Sequence, residues 1–75
     1  MNYLAVFLCP DGGIIRHQQT AEPMNIELGE FETHGEAVRE ACVVLECEHL
    51  MKGVISKGHN KGGFLIVDAQ EFVTV

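Results

Sequence analysis

The sequence predicts an α+β fold: a small antiparallel sheet of four to five strands with one long helix, about residues 34–52, packed on one face, in the order βββαβ(β). Three observations predict it. Residues 2–9 are apolar on both alternating sets, Tyr3, Ala5, Phe7, Cys9 and Leu4, Val6, Leu8. A Thr-x-x-Glu box at Thr33–Glu36 opens an amphipathic stretch, the signature of a helix start. Phe64-Leu65-Ile66-Val67 is a short apolar run after a glycine-bearing loop, as a buried strand would be. With one helix to cover it, a sheet buries an apolar face most economically beneath that helix.

Each element follows in order. Apolarity on both sets makes residues 2–9 an inner strand, covered on both faces. Pro10-Asp11-Gly12-Gly13 is a turn, with Pro presetting φ and Gly accepting the left-handed position. Ile14–His17 should return as the second strand of a hairpin. After a polar break at residues 18–23, Met24, Ile26 and Leu28 alternate with Asn25 and Glu27, a strand with one wet face. Gly29 marks a bulge or bend before Phe31. The helix is expected to run to Lys52, which complements its dipole, with Gly53 as the left-handed stop. Val54-Ile55-Ser56 is a short extended piece, Asp68-Ala69-Gln70 a turn, and Glu71–Val75 an optional last strand.

Helical phase, at about 100° per residue, places Val38, Ala41, Cys42, Leu45 and His49 on the face toward the sheet. Val43, Cys47 and Leu50 form a second stripe about 140° away, with Arg39 and Glu46 between. One small sheet needs only the first stripe. Either the 54–63 loop covers the second, or another chain does, a copy or a different partner.

Composition bounds the function. Seventy-five residues, 47% of them hydrophobic, make a single domain, 1–75, and a chain of this size buries only about 60% of its unfolded surface. A large enzyme site and a dinucleotide-binding fold are excluded by size, and disorder by the apolar content. Eleven acids against five bases give a net charge of −6, and between Glu22 and Glu48 eight acids face one base. Direct nucleic-acid binding is disfavoured, because that affinity rests on Lys and Arg at phosphates. A basic protein partner complements the acidic stretch.

Three cysteines without C-x-x-C spacing fit a reducing cytoplasm better than a disulfide framework. The apolar opening lacks the basic leader and cleavage pattern of an export signal. No run approaches the roughly 20 apolar residues of a membrane span.

The chemical motifs are weak. Cys42 and His49 share the sheet-facing helical sector, and Cys9 approaches from the sheet, but Cys42 and Cys47 are too far apart around a helix for one zinc. No Cys–His pairing is fixed, and acidic surroundings raise thiol pKa values. No enzyme activity, metal or cofactor is expected. The loop from Gly53 to Gly63 carries Lys57, His59 and Lys61 as an alternative anion-binding set. It lies between helix and strand, the reverse of a P-loop.

Asn2-Tyr3-Leu4-Ala5-Val6-Phe7, the Asp11-Gly12-Gly13 turn, and Gly29-Glu30-Phe31-Glu32-Thr33-His34-Gly35 leading into Glu36-Ala37 resemble the N-terminal domain of HicB-type antitoxins. That domain is a partial ribonuclease-H-like fold of three strands, a helix and a strand. The resemblance covers residues 2–45. The family's Pro-Asp-Leu-Pro-Gly run is replaced by Ala21–Leu28, and no DNA-binding segment is matched, so DNA autoregulation is not implied. What the resemblance implies is a non-catalytic acidic module, of the kind found in bacteria or phage, that masks the basic surface of a nucleic-acid-processing protein. The partner-binding residues expected are Glu27, Glu30, Glu32, Glu40, Val43, Cys47 and Leu50. The rival expectations are a homodimer paired through the helix, and a weak RNA or anion binder using the 52–63 loop.

Overall fold

The computed structural model describes residues 1–58 and 60–75. It is α+β, with a five-stranded antiparallel sheet and two helices: β1 (Asn2–Leu8), β2 (Asn25–Glu30), α1 (His34–Val44), β3 (Glu48–Met51), β4 (Val54–Ser56), β5 (Gly63–Asp68) and α2 (Ala69–Phe72). The strand order is β2-β1-β5-β4-β3. β1 is paired on both sides, to β2 and to β5, so its uninterrupted apolar sequence matches an inner position. Tyr3 and Ala5 face α1 together with Phe64, Ile66 and Ile55, and against them pack Ala37, Val38 and Ala41. Val6 and Val67 are buried as well, on the alternate set. There α2 contacts β5 and β1, and Ala69 shares a small depression with Leu4 and Glu27.

The element order differs from the predicted one in three places. Ile14–His17 does not form a ladder strand. The Pro10–Gly13 turn closes as expected, the Gly12 amide donating to the Cys9 carbonyl (2.8 Å). The chain then makes only single bridges, Leu8 with Ile14 and Arg16 with Pro23. The end of β1 is divided between two segments: Phe7 donates to the Met24 carbonyl and accepts from the Ile15 amide. With β2 already paired along β1 from Asn2 to Val6, the Ile14–His17 segment has only the end of β1 left to bridge.

The helix is short. Thr33 caps it, its hydroxyl accepting from the Glu36 amide (3.2 Å), but it ends at Val44 rather than Lys52. Glu46 has φ +54, and the Cys47 amide donates to the Cys42 carbonyl (2.9 Å) while the Leu45 amide donates to Ala41. A left-handed residue followed by a bond back to the last turn is the Schellman stop. The residues beyond it, read as two further helical turns, form β3 and pair with β4. Gly53 is left-handed as expected, with φ +81, yet it serves the β3–β4 turn and not a helix end.

The C-terminal residues form a helix where a strand was expected. Asp68 and Glu71 make a reciprocal capping box: Asp68 Oδ1 accepts from the Glu71 amide (2.7 Å), and the Asp68 amide donates to Glu71 Oε1 (3.4 Å).

Candidate functional site

The acidic residues gather at one edge of the sheet. β2 is an outermost strand, and its register with β1 shifts between Tyr3 and Leu4: Asn2 pairs with Glu30, Tyr3 with Gly29, and Leu4 with Glu27. One extra residue on β2 makes a bulge, at Gly29 with φ +106. Residues three apart on a regular strand point to opposite faces. Here the bulge sets Glu27 beside Leu4 and Glu30 beside Asn2, so both carboxylates leave the sheet on the side away from α1. Glu32 follows directly, and all three are exposed.

The remaining expected partner-binding residues do not join this edge as one surface. Glu40 is exposed on α1. Val43 is 70% exposed at the end of α1. Cys47 lies past the helix, half-buried against the core. Leu50 is 61% exposed on β3, the opposite edge of the sheet, four strand spacings or about 19 Å from β2. The Val43/Cys47/Leu50 stripe therefore does not exist, because it needed a helix through residue 50. Val43 and Leu50 both stay exposed beside the described residues of the 54–63 segment.

The sheet-facing sector fares differently. Val38 and Ala41 are buried, and Cys42 and Leu45 pack on the core. His49 sits on β3 rather than the helix, paired with Ile55. Cys42 and Cys47, separated around an extended helix, are brought together by the Schellman turn. Burial and the neighbouring Cys42 thiol push the Cys47 thiol up, against a smaller opposing pull from Lys57. All three cysteines are free and half-buried. Among the described residues no group of three His, Cys, Asp or Glu is placed to hold a metal ion.

The basic residues have separate duties. Arg16 donates to the Ala21 carbonyl within its own loop (2.9 Å). The Lys57 ammonium lies over the Phe64 and Phe7 rings, 5.1 and 6.0 Å from their centroids, a cation–π arrangement. Lys61 is exposed in the loop before β5, and His59 lies outside the described residues. Arg39 and Lys52 line one groove of about 460 Å³ between α1 and the β3–β4 turn, with His34 and His49. Sequence reasoning missed this pairing, because a helix extended to residue 52 gives Lys52 no turn to sit on.

No helix is long and apolar enough to cross a membrane among the described residues. Set against family models, curated proteins and solved structures, the chain matches none of them.

Proposed function

We propose that the protein is a non-catalytic cytoplasmic interaction module, antitoxin- or inhibitor-like, that docks its acidic sheet edge on a basic protein surface. The observation that carries this reading is the bulge at Gly29, which turns Glu27 and Glu30 to one side of an edge strand and leaves Glu32 beside them. Clustered carboxylates of this kind speed encounter with a basic surface and fix orientation. The resemblance of residues 2–45 to HicB-type antitoxin domains points to the same class of partner, a nucleic-acid-processing protein whose basic surface is masked.

The test is capture from host lysate on the immobilised chain, with wild type beside a variant carrying Glu27→Lys, Glu30→Lys and Glu32→Lys. A stoichiometric basic protein held by wild type, released by salt and lost by the folded variant supports the reading. Equal retention by both at low salt removes this edge from it. A second reading, a homo-oligomer, is favoured by Leu50 and Met51, both exposed on the other edge strand.

A further inference from the structure

We infer that the groove between α1 and the β3–β4 turn is a binding site for a small phosphomonoester, with Arg39 and Lys52 as its charged anchors. The groove lies on a different part of the molecule from the acidic edge, and the inference does not depend on the docking role proposed for that edge.

The chain carries five cationic side chains against eleven acids, yet two of the five, Arg39 and Lys52, line this groove, and none of its lining residues is Asp or Glu. Glu36 and Glu40 occupy the same helix without lining it. Arg39 reaches the groove from the helix and Lys52 from the strand turn, so an anion between them is held from two walls. His49 adds a polar group from the strand wall, and His34 lines the helix wall. His34 is fixed in place: its Nε2–H donates to the Ile66 carbonyl at 2.8 Å.

The helix contributes in the same sense. Its first amides have no intrahelical acceptor. Thr33 satisfies one of them, its hydroxyl accepting from the Glu36 amide, and the Ala37 amide makes the first intrahelical bond, to the Thr33 carbonyl. The positive end of the helix dipole therefore sits at the Gly35 end of the groove, where it favours an anion.

The ligand class follows from the shape and charge. Arg39 and Lys52 match a single phosphate, as Arg gives a planar donor fork and Lys a point charge. Val38, buried, and Cys42, half-buried, supply an apolar wall for a small organic substituent. A polyanion such as RNA would meet the carboxylates that dominate the rest of the surface, since the net charge is −6.

The experiment is titration of the isotope-labelled chain with inorganic phosphate, then with phenyl phosphate, at fixed ionic strength. Saturable shifts of the Gly35, Arg39, Lys52 and Gly53 amides are expected, with phenyl phosphate binding more tightly. Arg39→Ala and Lys52→Ala should each weaken binding roughly tenfold, the loss expected for one charge-assisted hydrogen bond. Both side chains are exposed, and circular dichroism checks that each variant folds. Lys57→Ala and Lys61→Ala should leave the affinity unchanged.

The absence of saturable shifts, equal shifts with chloride, or full affinity in the Arg39→Ala/Lys52→Ala double variant would overturn the site. Tighter binding of a phosphopeptide or an RNA than of phenyl phosphate would overturn the small-molecule assignment.

Discussion

The imidazole of His34, at the first position of α1, donates from Nε2 to the main-chain oxygen of Ile66 on β5, 2.8 Å away and 32 residues along the chain. Ile66 also donates its amide to the Gly53 carbonyl (2.8 Å), at the point where β4 gives way to the β3–β4 turn. An inner strand would otherwise leave that oxygen without a ladder partner, so His34 completes the sheet where the neighbouring strand stops. The same bond fixes the start of α1 over Tyr3, whose ring centroid is 5.9 Å from that of His34. His34→Ala should destabilise the fold by about 1–3 kcal/mol, the cost of leaving a partly buried carbonyl unpaired. Urea unfolding measures it, and an unchanged midpoint would show that water replaces the imidazole.

Gly53 closes the same knot from the other side. Its φ of +81° excludes most side chains, and an added Cβ would lie 2.9 Å from His34 Cε1 and 3.1 Å from the Ile66 oxygen. Gly53→Ala should therefore lower stability by about 1–3 kcal/mol. In a domain of this size each kcal/mol shifts Tm by roughly 4–8 °C. His34→Ala removes the contact with the imidazole but neither the close Ile66 oxygen nor the backbone strain, so the double variant should lose less than the sum of the two single losses.

The helix stop makes a prediction of opposite sign. Glu46 holds the left-handed position of the Schellman turn, at φ +54, where Gly is the usual residue. Glu46→Gly should stabilise the protein by about 1 kcal/mol, the penalty for a Cβ in that region. Glu46→Ala keeps the Cβ and should show no such gain. Thermal unfolding of the two variants separates backbone strain from any effect of the lost charge.

These residues also show what the sequence could and could not convey. β1, β5, the Thr33 cap and the Pro10–Gly13 turn were legible, because each is set by local pattern or a local side-chain bond. The length of α1 was not. Cys42, Leu45 and His49 keep helical spacing, and nothing in Glu46 advertises a left-handed residue; the pairing of β3 with β4 decides the outcome. Asp68 and Glu71 did carry a readable capping signal, overshadowed by the strand-like Val73-Thr74-Val75. The acidic residues of the β2 edge were legible as charge. Their common face was not, since it depends on a register shift between two strands. Arg39 and Lys52 meet across a groove that exists only because the helix ends early.

The Cys47 thiol gives a pH-dependent signature. Burial, then Cys42, raise its pKa above the ordinary thiol range, and Lys57 partly offsets them. The thiolate is the nucleophile, so alkylation of Cys47 should rise with pH at a higher midpoint than that of the unfolded chain. Lys57→Ala should move the midpoint higher still, and Cys42→Ser should lower it. Because the folded state keeps this proton where the unfolded state releases it, stability should fall as pH climbs from the unfolded thiol pKa through the folded one. Peptide-resolved mass spectrometry reads the first effect and urea midpoints the second.

Oligomeric state distinguishes the two readings of function. Val43 and Leu50, expected on one helical stripe, sit on different elements: Val43 on α1, Leu50 on the outermost strand β3. His49 is paired with Ile55 on the α1 side of the sheet, and the register shift between His49 and Met51 leaves Leu50 as an extra residue of β3, where it shares a depression with Leu8 and Val54. A dimer cannot bury both through one helix. For a module that works by docking an acidic edge, wild type should sediment as a monomer, and Val43→Glu and Leu50→Glu should each fold and sediment identically. A dimeric wild type would favour the homo-oligomer instead. The single variant that dissociates it would then name the interface, Val43→Glu for helix pairing and Leu50→Glu for pairing of β3 edges. Sedimentation equilibrium over a wide concentration range measures this directly, and exposed sites of this kind tolerate a glutamate with about 0.5 kcal/mol of stability change or less.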